Sequence, residues 1–391
     1  MKKLILTAAL LLFAATAIPT GAAEAASNKD KTFGYLNTET NSTFVPIRFL
    51  SEYAGAKITW TAADKRIDIS KGKDSIVLYV GRTQAMINGE QQKLSAAPFE
   101  EGGSTYVPLR FVSQALSVQL AWQADTSSVS VTAGSKQTRL PVIKRGAMSP
   151  PVTSQVRSFK VGSKSFSVRV MTVNLMHPKV QLDVALAHDT IGKVEELSSM
   201  AKRSNAKLAI NGTFFDAYTK DSYKTPYGWI IQGGKIKKDS SGDRKTVFAY
   251  DKNNLTELIA GVEFPDRYQQ GGIEGALQVG PRLVVNGKVQ LNVEAEGFRD
   301  PKILTGGGAR SALGITSNHE LLLVTSGGAT IPQMAEIMKQ AGAYQAMNLD
   351  GGASSGLYYN GSYLTKPGRE LSKTFSSSIN RPLTYRSIGQ A

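Results

Sequence analysis

Pro332 to Asn348 reads PQMAEIMKQAGAYQAMN, and this stretch decides how the second half of the chain is built. Met334, Ile337 and Met338 recur at helical spacing, and a short break then leads into an apolar strand that ends on Asn348. Pro332 stands where the first turn of a helix tolerates proline, and Gly342 where a helix C-cap belongs. A second segment, Glu195 to Asn211 (EELSSMAKRSNAKLAIN), runs parallel to it at one constant offset. There Leu197, Met200 and Ala201 mark the helix and Asn211 closes the strand. Each unit reads helix, turn, strand, Asn, and each delivers a polar loop to a strand end, where mixed α/β sheets commonly place their sites.

The loop after the second unit, Asn348-Leu349-Asp350-Gly351-Gly352-Ala353-Ser354-Ser355, packs an amide, a carboxylate, glycines and hydroxyls into one short stretch. Glycines let a backbone approach a ligand closely, and the Asp and Ser side chains supply acceptors and donors. A plain turn is the alternative, because Asp-Gly is also a strong hairpin dipeptide. Gly352-Ala353-Ser354-Ser355-Gly356 also satisfies the serine-hydrolase pattern G-x-S-x-G. That elbow needs a helix after the serine and a histidine downstream. Leu357 to Leu364 reads instead as strand, Asn-Gly turn, strand, and no histidine follows.

The first half carries an internal repeat. Thr43-Phe44-Val45-Pro46-Ile47-Arg48-Phe49 returns as Thr105-Tyr106-Val107-Pro108-Leu109-Arg110-Phe111, and the same offset carries Trp60 onto Trp122, and Ile67 and Ile69 onto Val129 and Val131. Each unit reads as a strand into a short helix, then a Trp-bearing strand and an alternating strand. The recurrence of the tryptophans predicts core packing, with sugar platforms as the alternative.

With 391 residues the chain exceeds what one core usually holds, so two domains are expected. Lys2 and Lys3 precede an apolar run from Leu4 to Ile18, and Ala23-Glu24-Ala25 offers a small-x-small cleavage site. These features predict a secreted bacterial protein that starts near Ala26, with no membrane insertion after the leader is cleaved. It contains no cysteine, so no disulfide assists the fold, and its histidines are His177, His188 and His319. A Cys-based or multi-His zinc site is therefore nearly excluded. Net charge is +15. Between Gly134 and Val170 stand Lys136, Arg139, Lys144, Arg145, Arg157, Lys160, Lys164 and Arg169 with no acid among them, a stripe that would attract an anionic wall polymer or serve as a solvated linker face. Only Phe159 and Phe166 interleave with it, so no nucleic-acid partner is expected. Oligomeric state is left open.

The expected organisation is a leader over residues 1–25, a repeat domain over 26–134, a basic linker over 135–160 marked by Pro141, Pro150 and Pro151, and a larger domain over 161–391. The fold class is α+β: a small repeat-built α+β domain, then a mixed β-sheet flanked by helices. The repeat resembles the copper amine oxidase N-terminal-like module of secreted bacterial proteins, although it has no His or Cys cluster to hold copper; a structural or wall-directed role is expected.

From about Ser165 to Ile388 the chain resembles the phosphodiester glycosidase family. Five ordered blocks carry the likeness: Asn211-Gly212-Thr213-Phe214-Phe215, Pro226-Tyr227-Gly228, Gly280-Pro281-Arg282-Leu283, Arg310-Ser311-Ala312-Leu313-Gly314 and the loop from Asn348 to Ser355. The chain departs from the family at Gly351-Gly352-Ala353, where a third glycine is usual, and at its ending Pro367-Gly368-Arg369-Glu370-Leu371-Ser372. The resemblance implies a hydrolase that releases a sugar, N-acetylglucosamine in the family, from a phosphodiester in a wall polymer or glycan. In such a bond the departing phosphate monoester is a stable anion with a second pKa of about 6, so it needs little protonation to leave. A guanidinium can replace the usual acid by gripping the phosphate, with Arg310 the first candidate and Arg369 the second. Asp350 is the best carboxylate for activating water or stabilising an oxocarbenium-like sugar, and Asp216 the second. Asn211 and Asn348 suit sugar hydroxyls or an acetamido group, Ser354 and Ser355 suit phosphate or sugar, and Gly212, Gly228, Gly280, Gly351 and Gly352 are expected to line the substrate site. No cofactor is assigned; an Asp and Asn cluster could hold Ca2+ through oxygen ligands, though no EF-hand pattern is present. The alternative function is a non-catalytic wall- or spore-associated protein that binds sugar phosphates.

Overall fold

The computed structural model describes residues 31–53, 55–146 and 149–379, so the expected leader lies outside the described residues. Among these, twenty-nine strands form five sheets, and six α-helices accompany them. The protein is mostly β-sheet, and the α+β expectation overstated its helices.

Each repeat folds as its residues predict. Ser42–Pro46, Ile47–Tyr53, Lys57–Thr61 and Arg66–Lys71 recur as Ser104–Pro108, Leu109–Ala115, Gln119–Gln123 and Ser128–Ala133. The two copies meet across an antiparallel pair in which the equivalent residues Val45 and Val107 stand opposite each other. Ile67, Ile69, Val129 and Val131 are buried, but Trp60 and Trp122 are 36% and 56% exposed, which overturns their core assignment. Both lie on edge strands opposite Ile67 and Val129. What recurs there is the register of a hairpin, and an edge strand's outer face needs no burial.

The expected basic linker is also corrected. Lys136–Lys144 is a strand that pairs with Ser128–Ala133 and, in parallel, with Gly34–Asn37, while Val152–Val161 pairs with Lys164–Asn174. The physical reason is burial on both faces: Leu140 and Val142 join one apolar cluster and Ile143 another. Acids distant in sequence consume part of the charge stripe. Arg139 grips Glu257 with two bonds of 2.8 and 2.6 Å, and Arg145 donates to Glu101. Arg157 donates to the carbonyls of Ala341 and Gln340.

Other contacts bolt the repeat onto the rest of the protein. Phe33, Tyr35, Phe44 and Tyr106 share one apolar cluster with Met171, Leu313 and Phe375. The buried His319 ring lies 3.0 Å from the Ser127 carbonyl oxygen, and Gln345 donates to the Asp125 carbonyl. Burial pushes the His319 imidazole down to about 4, so it stays neutral at ordinary pH.

Both helix–strand–Asn units are present. Thr330 and Gln333 form a capping box at the start of the helix Ile331–Ala341, and Gly342 ends it at φ +106°. Ile331, Met334, Ala335, Ile337 and Met338 are buried, and the larger of these side chains contribute ~1.5–3 kcal/mol each. The helix crosses from Glu320–Ala329 to Gln345–Asn348, but Gly308–Ile315 lies between these strands and pairs antiparallel with both. The expected mixed sheet is therefore corrected: every strand pairing within the described residues 152–379 is antiparallel. The other helix, Leu197–Arg203, leads to Leu208–Asn211, which sits in a different sheet between Lys373–Ile379 and Leu357–Tyr359.

Candidate active site

The two Asn-terminated strands come from different sheets, and their loops meet. The Asp350 N–H donates to the Gly212 carbonyl at 3.1 Å. The Asn211 amide nitrogen donates to the Asp350 carbonyl at 2.6 Å, and its amide oxygen accepts from Gly356 N at 3.0 Å. Asn211, 1% exposed, thus holds the loop at both ends. Asn348 is fully buried and donates to the carbonyls of Gly280 and Leu349, leaving its own amide oxygen without a partner. Both side chains, expected on a sugar, are engaged with backbone.

The Asp350 carboxylate is half-buried and accepts from Gly351 N at 2.9 Å and from the Ser354 hydroxyl. Burial pushes it up to about 6, against the pull of those hydrogen bonds and of Arg369 and Lys373 nearby. Lys373, 2% exposed, is the residue that sequence reasoning missed. Its ammonium donates to Ser372 Oγ at 3.2 Å, and burial pushes it down to about 7, with Asp350 opposing the fall and Lys238 adding to it. Burial thus drives both groups toward their neutral forms, and the charge of each opposes that drift in the other. A signal existed: a two-residue period puts Lys373 on the same strand face as the core residue Phe375. A side chain at Gly212 would put its Cβ 3.2 Å from Lys373 Cγ, so this glycine gives the lysine stem its path.

Arg369 is half-buried, donates to the Tyr218 hydroxyl at 2.9 Å and lies over its ring at 4.8 Å. Tyr218 is exposed and its phenol is lowered by the Arg369 bond and charge, with Lys302 adding to the effect. Nothing in the sequence signalled Tyr218. Arg310 is 4% exposed and donates to the carbonyls of Ala329, Lys302 and Gly306, with no carboxylate bonded to it; its Nη1 faces Gly351. It braces the Gly306 loop and leaves one nitrogen directed at the Asp350 loop.

Asp216 accepts from Thr219 N and so closes a turn of the segment that bears Tyr218. Gly228 and Gly280 are packed against protein: a Cβ at the first would lie 2.6 Å from the Gln278 carbonyl and at the second 3.0 Å from Glu296. Gly352 to Ser354 form a 3-10 turn, Ser354 and Ser355 are buried, and a strand follows, as the sequence predicts against a serine-hydrolase elbow. Ala353, at the family's third glycine, lies where a Cβ on Gly368 would contact its own Cβ at 3.5 Å, so the departure is accommodated. Among the described residues no group of three or more His, Cys, Asp or Glu could hold a metal ion. Among the described residues no helix is long and apolar enough to cross a membrane.

Comparison with known proteins adds two family models. Residues 204–382 match the phosphodiester glycosidase model, and residues 34–131 match the copper amine oxidase N-terminal domain. The structure is similar to the catalytic domain of zebrafish N-acetylglucosamine-1-phosphodiester alpha-N-acetylglucosaminidase, solved auto-inhibited by its pro-peptide. The TM-score is 0.50 at 20% identity over 61% of this chain and 87% of that one, a likeness of fold. A hypothetical protein from Synechocystis is similar at a TM-score of 0.48 and 14% identity, over 89% of this chain and 96% of that one. A comparison with curated protein sequences finds no match.

Proposed function

We propose that this chain, which carries a phosphodiester glycosidase domain, hydrolyses sugar-1-phosphodiesters outside the cell and releases N-acetylglucosamine from an anionic wall polymer or glycan. The reading rests on one observation: Asn211 clamps the loop that presents the half-buried Asp350 carboxylate, within the field of Lys373 and Arg369. Asp350 in its ionised form takes a proton from water as the water oxygen attacks the anomeric carbon. The bond from that carbon to the phosphate oxygen breaks, and both electrons leave with the phosphate. The departing monoester needs neutralisation more than a proton, and the Lys373 ammonium and Arg369 guanidinium supply it. Arg310 anchors the loop from behind. The apolar run from Leu4 to Ile18 and the absence of cysteine support secretion.

The test is release of free N-acetylglucosamine from UDP-N-acetylglucosamine and from purified wall polymer by wild type and by Asp350→Asn. Turnover that disappears in the variant supports the hydrolase. No turnover by the wild type on either substrate, with wall-polymer binding intact, would replace it with the non-catalytic binding protein.

A further inference from the structure

A cleft of about 360 Å3 borders the Gly351–Ser355 loop. Gly352, Ser355 and Gly368 contribute to its wall, so it shares that loop and the segment bearing Arg369 with the candidate active site. Two cations line it, Arg169 from the strand Lys164–Asn174 and Lys366 just before Pro367. Neither has a hydrogen-bond or carboxylate partner among the described residues, and no acid lines the cleft. This distinguishes Arg169 from Arg139 and Arg145 of the same charge stripe, which acids hold. The other polar groups are hydroxyls: Ser167, Ser326, and Thr325 and Thr365 bonded to each other at 2.7 Å. Ser355 is 4% exposed, and its Oγ is buried without a hydrogen-bond partner.

Unpaired cations with hydroxyl donors and no carboxylate suit a tetrahedral oxyanion that accepts several hydrogen bonds. We infer that this cleft is a second anion subsite, which holds the next phosphate of a polyphosphodiester glycan while the scissile bond lies at Asp350. The inference rests on the hydrolase reading and narrows its substrate class to chains with several phosphates, in preference to glycoconjugates with one.

The test compares a substrate with one sugar-1-phosphodiester and an oligomer with four, using wild type and the double variant Arg169→Ala/Lys366→Ala. Wild type should show a KM for the oligomer ~10-fold or more below that for the single diester, and the variant should lose this advantage with kcat unchanged. The advantage should also shrink as salt rises from 50 to about 300 mM. Equal KM values in the wild type, or a variant that keeps the difference, overturn the subsite and leave the hydrolase standing. If the wild type turns over neither substrate, the hydrolase reading fails, and calorimetry with inorganic tripolyphosphate decides the cleft alone. Binding weakened in the double variant retains it, and equal binding in both proteins overturns it.

Discussion

The two helix–strand–Asn units are alike in sequence pattern and different in task. In the first, the strand Leu208–Asn211 ends on an amide whose nitrogen and oxygen both bind the neighbouring loop, and Gly212 follows as space for a lysine stem. In the second, the strand Gln345–Asn348 ends on an amide bound to nearby backbone, and the carboxylate comes two residues later. One unit clamps and the other presents. The same local code therefore fixes where a polar loop emerges, while the sheet that receives the strand decides what the loop does.

Removing the presented group should have the largest effect. Asp350→Asn is expected to lower kcat by ~10²–10⁴-fold with little change in the melting temperature, measured by sugar release and calorimetry. Lys373→Met removes the ammonium beside it and should lower kcat by at least ~10-fold, yet stabilise the fold, because a buried ammonium held at about 7 costs folding free energy at neutral pH. Its sign is set by linkage. The unfolded lysine, near 10.5, binds the proton more tightly than the folded one, so wild-type stability rises relative to the variant as pH climbs from about 7 toward about 10.5. Urea unfolding at pH 6.5 and 9.5 should show the variant's advantage shrinking.

Breaking the clamp should have an intermediate effect on both properties. Asn211→Ala leaves the Asp350 carbonyl and the Gly356 N–H without partners, at ~1–3 kcal/mol each at most, and should also lower kcat because the loop that carries Asp350 loosens. A variant that loses stability with kcat intact would show that the clamp serves the fold alone. The smallest effect is expected far from both loops. Gly342→Ala places a side chain at φ +106° and should cost ~1 kcal/mol without touching kcat.

Much of this was legible in the sequence because the signals were local. The helix from Ile331, its proline start, its glycine stop and the loop beyond Asn348 all follow from neighbours a few residues apart. The repeat was legible for the same reason, down to the buried Ile67 and Val129. What escaped depends on residues far apart in the chain. Arg139 and Arg145 read as a free basic stripe because Glu257 and Glu101 lie elsewhere in the sequence. Trp60 and Trp122 read as core because recurrence fixes register and not the side of the sheet that is covered. Lys373 gives no signal by residue type, because a lysine in a strand is usually exposed, although it shares a strand face with Phe375.

An ionised Asp350 and a charged Lys373 would each leave a limb in the pH dependence of kcat/KM for N-acetylglucosamine release. Wild type should give a narrow bell, rising as Asp350 loses its proton near 6 and falling as Lys373 loses its own near 7, with apparent values that belong to the pair. Lys373→Met should keep the acid limb and lose the alkaline one. A wild-type profile that stays flat from pH 5 to about 9, or an alkaline limb unchanged in the variant, would contradict the assignment.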